Sequence, residues 1–109
     1  MPKGSSLGEF EILVLAALQR LGDDAYAVTI QRDIEQRAQR SAALGAIHAT
    51  LGRLADKGYV VFRISDPLPV QGGRARKYAR ITAAGARALR NTAAALARMI
   101  DGLEFGAGS

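Results

Sequence analysis

Between Gly72 and Thr82 the chain reads GGRARKYARIT and places four cations, Arg74, Arg76, Lys77 and Arg80, within seven residues. Guanidinium and ammonium groups crowded in this way can neutralise a row of phosphates. Each contact releases a counterion, so log affinity falls by about 0.9 per phosphate for each decade of salt. Gly72 and Gly73 permit a tight turn and a close backbone approach to such a phosphate. On a strand, Arg74, Arg76, Tyr78 and Arg80 share one side and Lys77 takes the other. The same charges would also guard an edge hairpin against aggregation with no ligand involved.

A second group of donors lies in GAIHATLGRLADKG, residues 45–58, where His48, Thr50 and Arg53 point away from an apolar stripe of Ile47, Leu51 and Leu54. The small residues Gly45, Ala46 and Ala49 would let the start of this helix approach another surface, as base-reading helices do with their N-terminal turns. An ordinary amphipathic helix has the same pattern.

Catalytic chemistry lacks its parts. His48 is the one His, Cys is absent, and there is no Ser-centred elbow. Glu9 and Glu11 fall on different helix faces, so no carboxylate pair is available for acid and base roles. A single His makes a metal site improbable, and no cofactor is expected.

The charge distribution agrees with a polyanion partner. Net charge is +5; six acids (Glu9, Glu11, Asp23, Asp24, Asp33 and Glu35) precede Arg37 against three cations, whereas twelve Lys or Arg between Arg37 and Arg98 face only Asp56 and Asp66. A basic middle of this kind is a candidate nucleic-acid surface, or simply a solvated face. No apolar run reaches the ~20 residues of a membrane span, and the first ten residues lack the pattern of a signal peptide, so a cytoplasmic protein with no membrane association is expected.

Periodicity supplies the elements that must position these groups. LGEFEILVLAALQRLG reads as a helix with Leu7, Phe10, Val14, Ala17, Leu18 and Leu21 on one face, leaving Ile12, Leu13 and Leu15 off it. YAVTIQRDIEQRAQR carries Tyr26, Ile30 and Ile34 as a buried stripe, with Gln31, Arg32, Asp33 and Glu35 facing away. After the third helix, Gly58 marks a stop, and YVVFRIS alternates as a strand with Val60, Phe62 and Ile64 on one side. DPLPVQGG is loop, RKYARI is the returning strand, and a last helix begins after Thr82. Leu89, Ala93, Leu96, Ile100 and Leu103 follow a heptad seam on it. That seam, with Phe10 and Leu13 of the first helix, forms the expected interface of a homodimer.

The order is helix, helix, helix, hairpin, helix: a mainly α fold with a small β-hairpin, written as a winged helix-turn-helix plus a C-terminal dimerisation helix. Residues 1–6 read as a flexible start, 7–82 as the winged domain, 83–104 as the dimerisation helix and 105–109 as a frayed tail.

At this level the chain resembles the PadR family of winged-helix transcriptional regulators. The resemblance rests on LGEFEILVLAAL, YAVTI, GAIHATLGRLADKGYV and GGRARKYARITAAG, and Thr82 with Gly85 after the basic strand is its most specific feature. It implies a dimeric repressor of double-stranded DNA, with Gly45, Ala46, His48, Ala49 and Arg53 facing the major groove and Gly73, Arg74, Arg76 and Lys77 serving the wing. His48 departs from the Tyr usual in the family and Ala79 from a second aromatic after Tyr78. The absence of Trp removes the drug-stacking mode of some relatives, and any small-molecule effector is unspecified. The competing readings are a module that docks on an acidic protein and a non-specific nucleic-acid binder.

Overall fold

The structure, a computed structural model, describes residues 7–66 and 75–105. The helices are α1 (Glu9–Leu21), α2 (Ala27–Ala38), α3 (Leu44–Asp56) and α4 (Ala83–Ile100). A 3-10 turn over Gly22–Asp24 follows α1, and the strands β1 (Val60–Ile64) and β2 (Lys77–Ile81) form one antiparallel hairpin. The expected order of elements is therefore found, with ends shifted by up to four residues, the largest shift being at the end of α4. No helix among the described residues is long and apolar enough to cross a membrane.

α1 is the centre of the fold, touching α2, α3, α4 and β2. Leu15, expected off the apolar face, is fully buried beside Val14 and Leu18, because a helix contacted from several sides buries a wider arc than one stripe. Ile12 and Leu13 are half-buried. Ile30 and Ile34 of α2 and Ile47, Leu51 and Leu54 of α3 complete the core, which Val60 and Ala79 of the hairpin close.

Polar residues fix how the helices meet. The Arg20 guanidinium at the end of α1 binds the Asp33 carboxylate of α2 through two bonds, so Asp33 does not simply face solvent as the periodicity predicts. The hydrogen bond from Arg20, which outweighs partial burial, holds the Asp33 carboxyl below its ordinary value. In the turn between α2 and α3, Gln31 Nε2 donates to the Ala42 carbonyl at 2.7 Å and Glu35 Oε2 accepts from the Ala42 N–H at 3.1 Å. Both α2 side chains clamp this buried alanine, which sets the angle at which α3 leaves the turn.

Gly58 ends the third helical segment with φ +82°, a conformation that a side chain would strain. The hairpin pairs Val60 with Ile81, Phe62 with Ala79 and Ile64 with Lys77 on one face, and Val61 with Arg80 and Arg63 with Tyr78 on the other. Ala79 also donates its N–H to the Ala25 carbonyl at 2.8 Å, tying β2 to the segment before α2. The absent second aromatic is accounted for: Ala79 is buried against that segment, opposite Phe62.

Thr82 caps α4. Its Oγ1 accepts from the Gly85 N–H at 3.0 Å and donates to the Gly58 carbonyl at 2.8 Å. Gly85 packs so closely that a Cβ there would lie 2.3 Å from the Tyr59 carbonyl oxygen. These contacts explain physically why Thr82 and Gly85 stand together. Beyond its first turns α4 leaves the body of the molecule, and from Ala93 to Ile100 every residue is exposed.

Candidate nucleic-acid interface

α3 turns Leu44, Gly45, Ala46, His48, Ala49, Gly52 and Arg53 outward. His48 shares a shallow recess with Lys77 of β2, lined also by Phe62, Leu51, Gly52 and Ala27. The exposed side of α3 thus continues directly onto one face of the hairpin, where the Lys77 ammonium sits 4.0 Å over the Phe62 ring.

The other hairpin face is a ladder of cations and rings. Arg63 lies 4.5 Å over Tyr78, Tyr78 meets Tyr26 edge-on with centroids 5.6 Å apart, and Arg76 lies 4.2 Å over Tyr26. Such stacking orients a guanidinium without neutralising it. Among the described residues, Arg63, Arg76, Lys77 and Arg80 form no salt bridge with a carboxylate. Their full charge is available to an anion. Arg63 was not among the expected contacts; its signal was its register opposite Tyr78, which only the pairing of the strands supplies.

Thr50 requires correction. It is 1 % exposed and belongs to the buried stripe, since positions 47, 50, 51 and 54 fall on one helix face. Its Oγ1 accepts from Arg53 Nη2 at 3.0 Å, so it holds Arg53 rather than reaching outward. Gly73 and Arg74 lie outside the described residues.

Behind Arg53 stands Glu11, a carboxylate only 6 % exposed. It accepts from the Gly8 N–H at 2.8 Å, and Lys57 Nζ lies 2.9 Å from both of its oxygens. Arg53 Nε is 4.0 Å away. Burial pushes the Glu11 carboxyl up, but the Gly8 N–H, the Lys57 ammonium and the Arg53 guanidinium outweigh it and hold it below the usual carboxylate value. Neither Glu11 nor Lys57 was expected to play a part, because the two are far apart in the chain.

The residues expected at a dimer interface divide into two groups. Phe10, Leu13 and Leu89 pack partly against their own core. Ala93, Leu96 and Ile100 are exposed, with Leu96 at 49 % and Ile100 at 51 %, and Met99 adds to them at 76 %. Leu103 is not on the helical seam: Asp101 is extended and Gly102 has φ +82°, so the helix stops at Ile100. Along α4 runs an open groove of about 610 Å³, bounded by Arg87, Asn91 and Leu96 of that helix, by Leu7 ahead of α1 and by Tyr59 ahead of β1.

No curated protein matches the chain. Among solved structures it resembles a PadR family transcription regulator from hypervirulent Clostridium difficile R20291, with 25 % identity over 85 % of this chain and 91 % of that one, and a TM-score of 0.70. A PadR family transcriptional regulator from Eggerthella lenta DSM 2243 is 23 % identical over 87 % of this chain and 82 % of that one, with a TM-score of 0.69. Bacillus subtilis PadR in complex with operator DNA is 18 % identical over 95 % of this chain but 54 % of its own length, with a TM-score of 0.67. The model of the transcriptional regulator PadR-like family matches residues 14–91, well over half of the sequence. The chain belongs to the transcriptional regulator PadR-like family.

Proposed function

We propose that this regulator binds double-stranded DNA sequence-specifically, as a homodimer on a pseudo-palindromic operator, and represses transcription from the cytoplasm. The observation that carries the reading is the continuity of the exposed α3 face with the hairpin through the His48 and Lys77 recess. A helix in the major groove and cations on the flanking phosphates need those two surfaces side by side. Gly45, Ala46, His48, Ala49 and Arg53 serve the groove in this reading, Lys77 the backbone beside them, and Arg63 and Arg76 the backbone from the other face of the hairpin. The similar fold of the Bacillus subtilis protein bound to operator DNA supports it.

The exposed apolar row of Leu96, Met99 and Ile100 supports the dimer. Paired α4 helices cover it and carry two reading units, which a two-fold operator presents roughly 34 to 36 Å apart, one helical turn.

Fluorescence anisotropy on duplex from the region upstream of the protein's own coding sequence, against scrambled duplex across a salt series, tests the reading. A preference of ~10³ or more at physiological salt is expected. Equal binding to both duplexes at every salt concentration would overturn it in favour of a non-specific binder, and no binding at all would point to an acidic protein partner.

A further inference from the structure

We infer that Glu11 is a positioning residue for DNA specificity: from α1 it cancels the charge of Lys57 and holds Arg53 in place, so that the end of α3 offers DNA one oriented guanidinium instead of two mobile cations. The inference rests on the DNA-binding reading above.

Three observations support it. Glu11 is a nearly buried carboxylate whose two oxygens both receive the Lys57 ammonium at 2.9 Å. A buried carboxylate must be paired, and a lysine so paired no longer competes for phosphate. Arg53 is more than half exposed, yet it is held from two directions, by Thr50 Oγ1 at 3.0 Å and by Glu11 Oε2 at 4.0 Å. An arginine hydrogen-bonded on one side and facing a carboxylate on the other has already lost part of its rotamer freedom, so less is lost when it meets a base or phosphate. Finally, the cluster joins the N-terminal turn of α1, through the Gly8 N–H bond to Glu11, to the C-terminal turn of α3. Affinity for random DNA grows with every phosphate neutralised, whereas discrimination comes from groups held in one geometry. Glu11 lowers the first and supports the second.

The test is Glu11→Gln in the full chain, which preserves the shape of the side chain and leaves an oxygen for the Gly8 N–H. The Lys57 charge is then no longer cancelled by a carboxylate, and Arg53 loses its ion-pair contact. Binding to scrambled duplex is expected to tighten about threefold or more at low salt, with the slope of log affinity against log salt steeper by about 0.9 for one added phosphate contact. Preference for the operator is expected to fall about tenfold, a change equal to one well-placed contact. A merely structural role would weaken both duplexes in parallel at unchanged slope, and that result, or no change at all, overturns the inference.

If Glu11→Gln does not fold, the double variant Glu11→Gln with Lys57→Met removes the pair as a unit, a change that buried pairs commonly tolerate. Its slope on scrambled duplex should stay within about 0.3 of the parent while operator preference still falls. A retained preference, or a slope shallower by about 0.9, overturns the inference, the latter because Lys57 would then have been touching phosphate itself. Should the parent protein show no operator preference, the regulator reading fails, but the slope change in Glu11→Gln still decides what Glu11 does to the charge.

Discussion

Replacing Gly85 by alanine would drive a methyl group into the backbone at the junction of the hairpin and α4. The new Cβ would lie 2.3 Å from the Tyr59 carbonyl oxygen and 2.9 Å from Ile81 Cγ1, where real Cβ contacts stay beyond 3.0 Å, so the backbone must part by about 0.7 Å. The Tyr59 carbonyl cannot retreat freely, because it accepts the Thr82 N–H at 3.0 Å. Overpacking of this kind costs about 1–3 kcal/mol. Displacing the helix start also threatens the Thr82 cap, for about 1 kcal/mol more. Against this, alanine is a better helix former than glycine by up to ~1 kcal/mol. The net loss is about 1–3 kcal/mol, which for a domain of this size lowers the melting temperature by roughly 5–20 °C. Thermal unfolding followed by circular dichroism, at matched protein concentration, reads it. Gly52→Ala provides the contrast: Gly52 has nothing within 4 Å of an added Cβ and is helical, so that variant should melt at or a few degrees above the parent. A Gly85→Ala protein as stable as Gly52→Ala would refute the close approach and the physical reason given for the Thr82 and Gly85 pair.

Further expectations concern the interface and the pH response. Arg53→Ala should weaken operator binding by about 1–3 kcal/mol and scrambled binding much less; equal losses would sink the assignment of Arg53 to base or oriented phosphate contact. Lys77→Ala should weaken both duplexes alike and reduce the salt slope by about 0.9, and an unchanged slope would remove Lys77 from the phosphate contacts. Leu96→Asp should give a folded monomer in sedimentation with its helical signal retained, whereas an intact dimer would exclude the α4 seam. The carboxyls of Glu11 and Asp33 are both depressed in the folded chain, so the unfolded chain binds more protons in acid. Their contribution to stability is complete above the ordinary carboxylate values, about pH 4 to 4.5, and is lost as pH falls through the lower folded values. Asp33→Asn should therefore lose less urea resistance than the parent between pH 5 and pH 2.5; equal losses would contradict the Arg20 and Asp33 link.

The sequence revealed the elements better than the side-chain networks. Periodicity located all four helices, because α1, α2 and α3 each bury a stripe at helical spacing and α4 carries one that it leaves exposed, and alternation placed both strands with the correct faces. It failed where a contact widens the buried arc, as at Leu15, or where a polar residue lies inside the stripe, as at Thr50. Leu103 kept the heptad spacing past a helix end that the backbone at Asp101 and Gly102 determines. Glu11 and Lys57 are 46 residues apart, and nothing in their local sequence marks them as partners. The Arg63, Tyr78, Tyr26 and Arg76 ladder likewise depends on strand register and on how β2 meets the segment before α2, both of which are tertiary facts.

Hydroxyl-radical footprinting of the protein on its upstream fragment tests the homodimeric, groove-reading account most directly. Two protected patches related by two-fold symmetry, with centres one helical turn apart or a multiple of it, are predicted from paired α3 helices and hairpins. A single asymmetric patch, or uniform protection along the fragment, would contradict it.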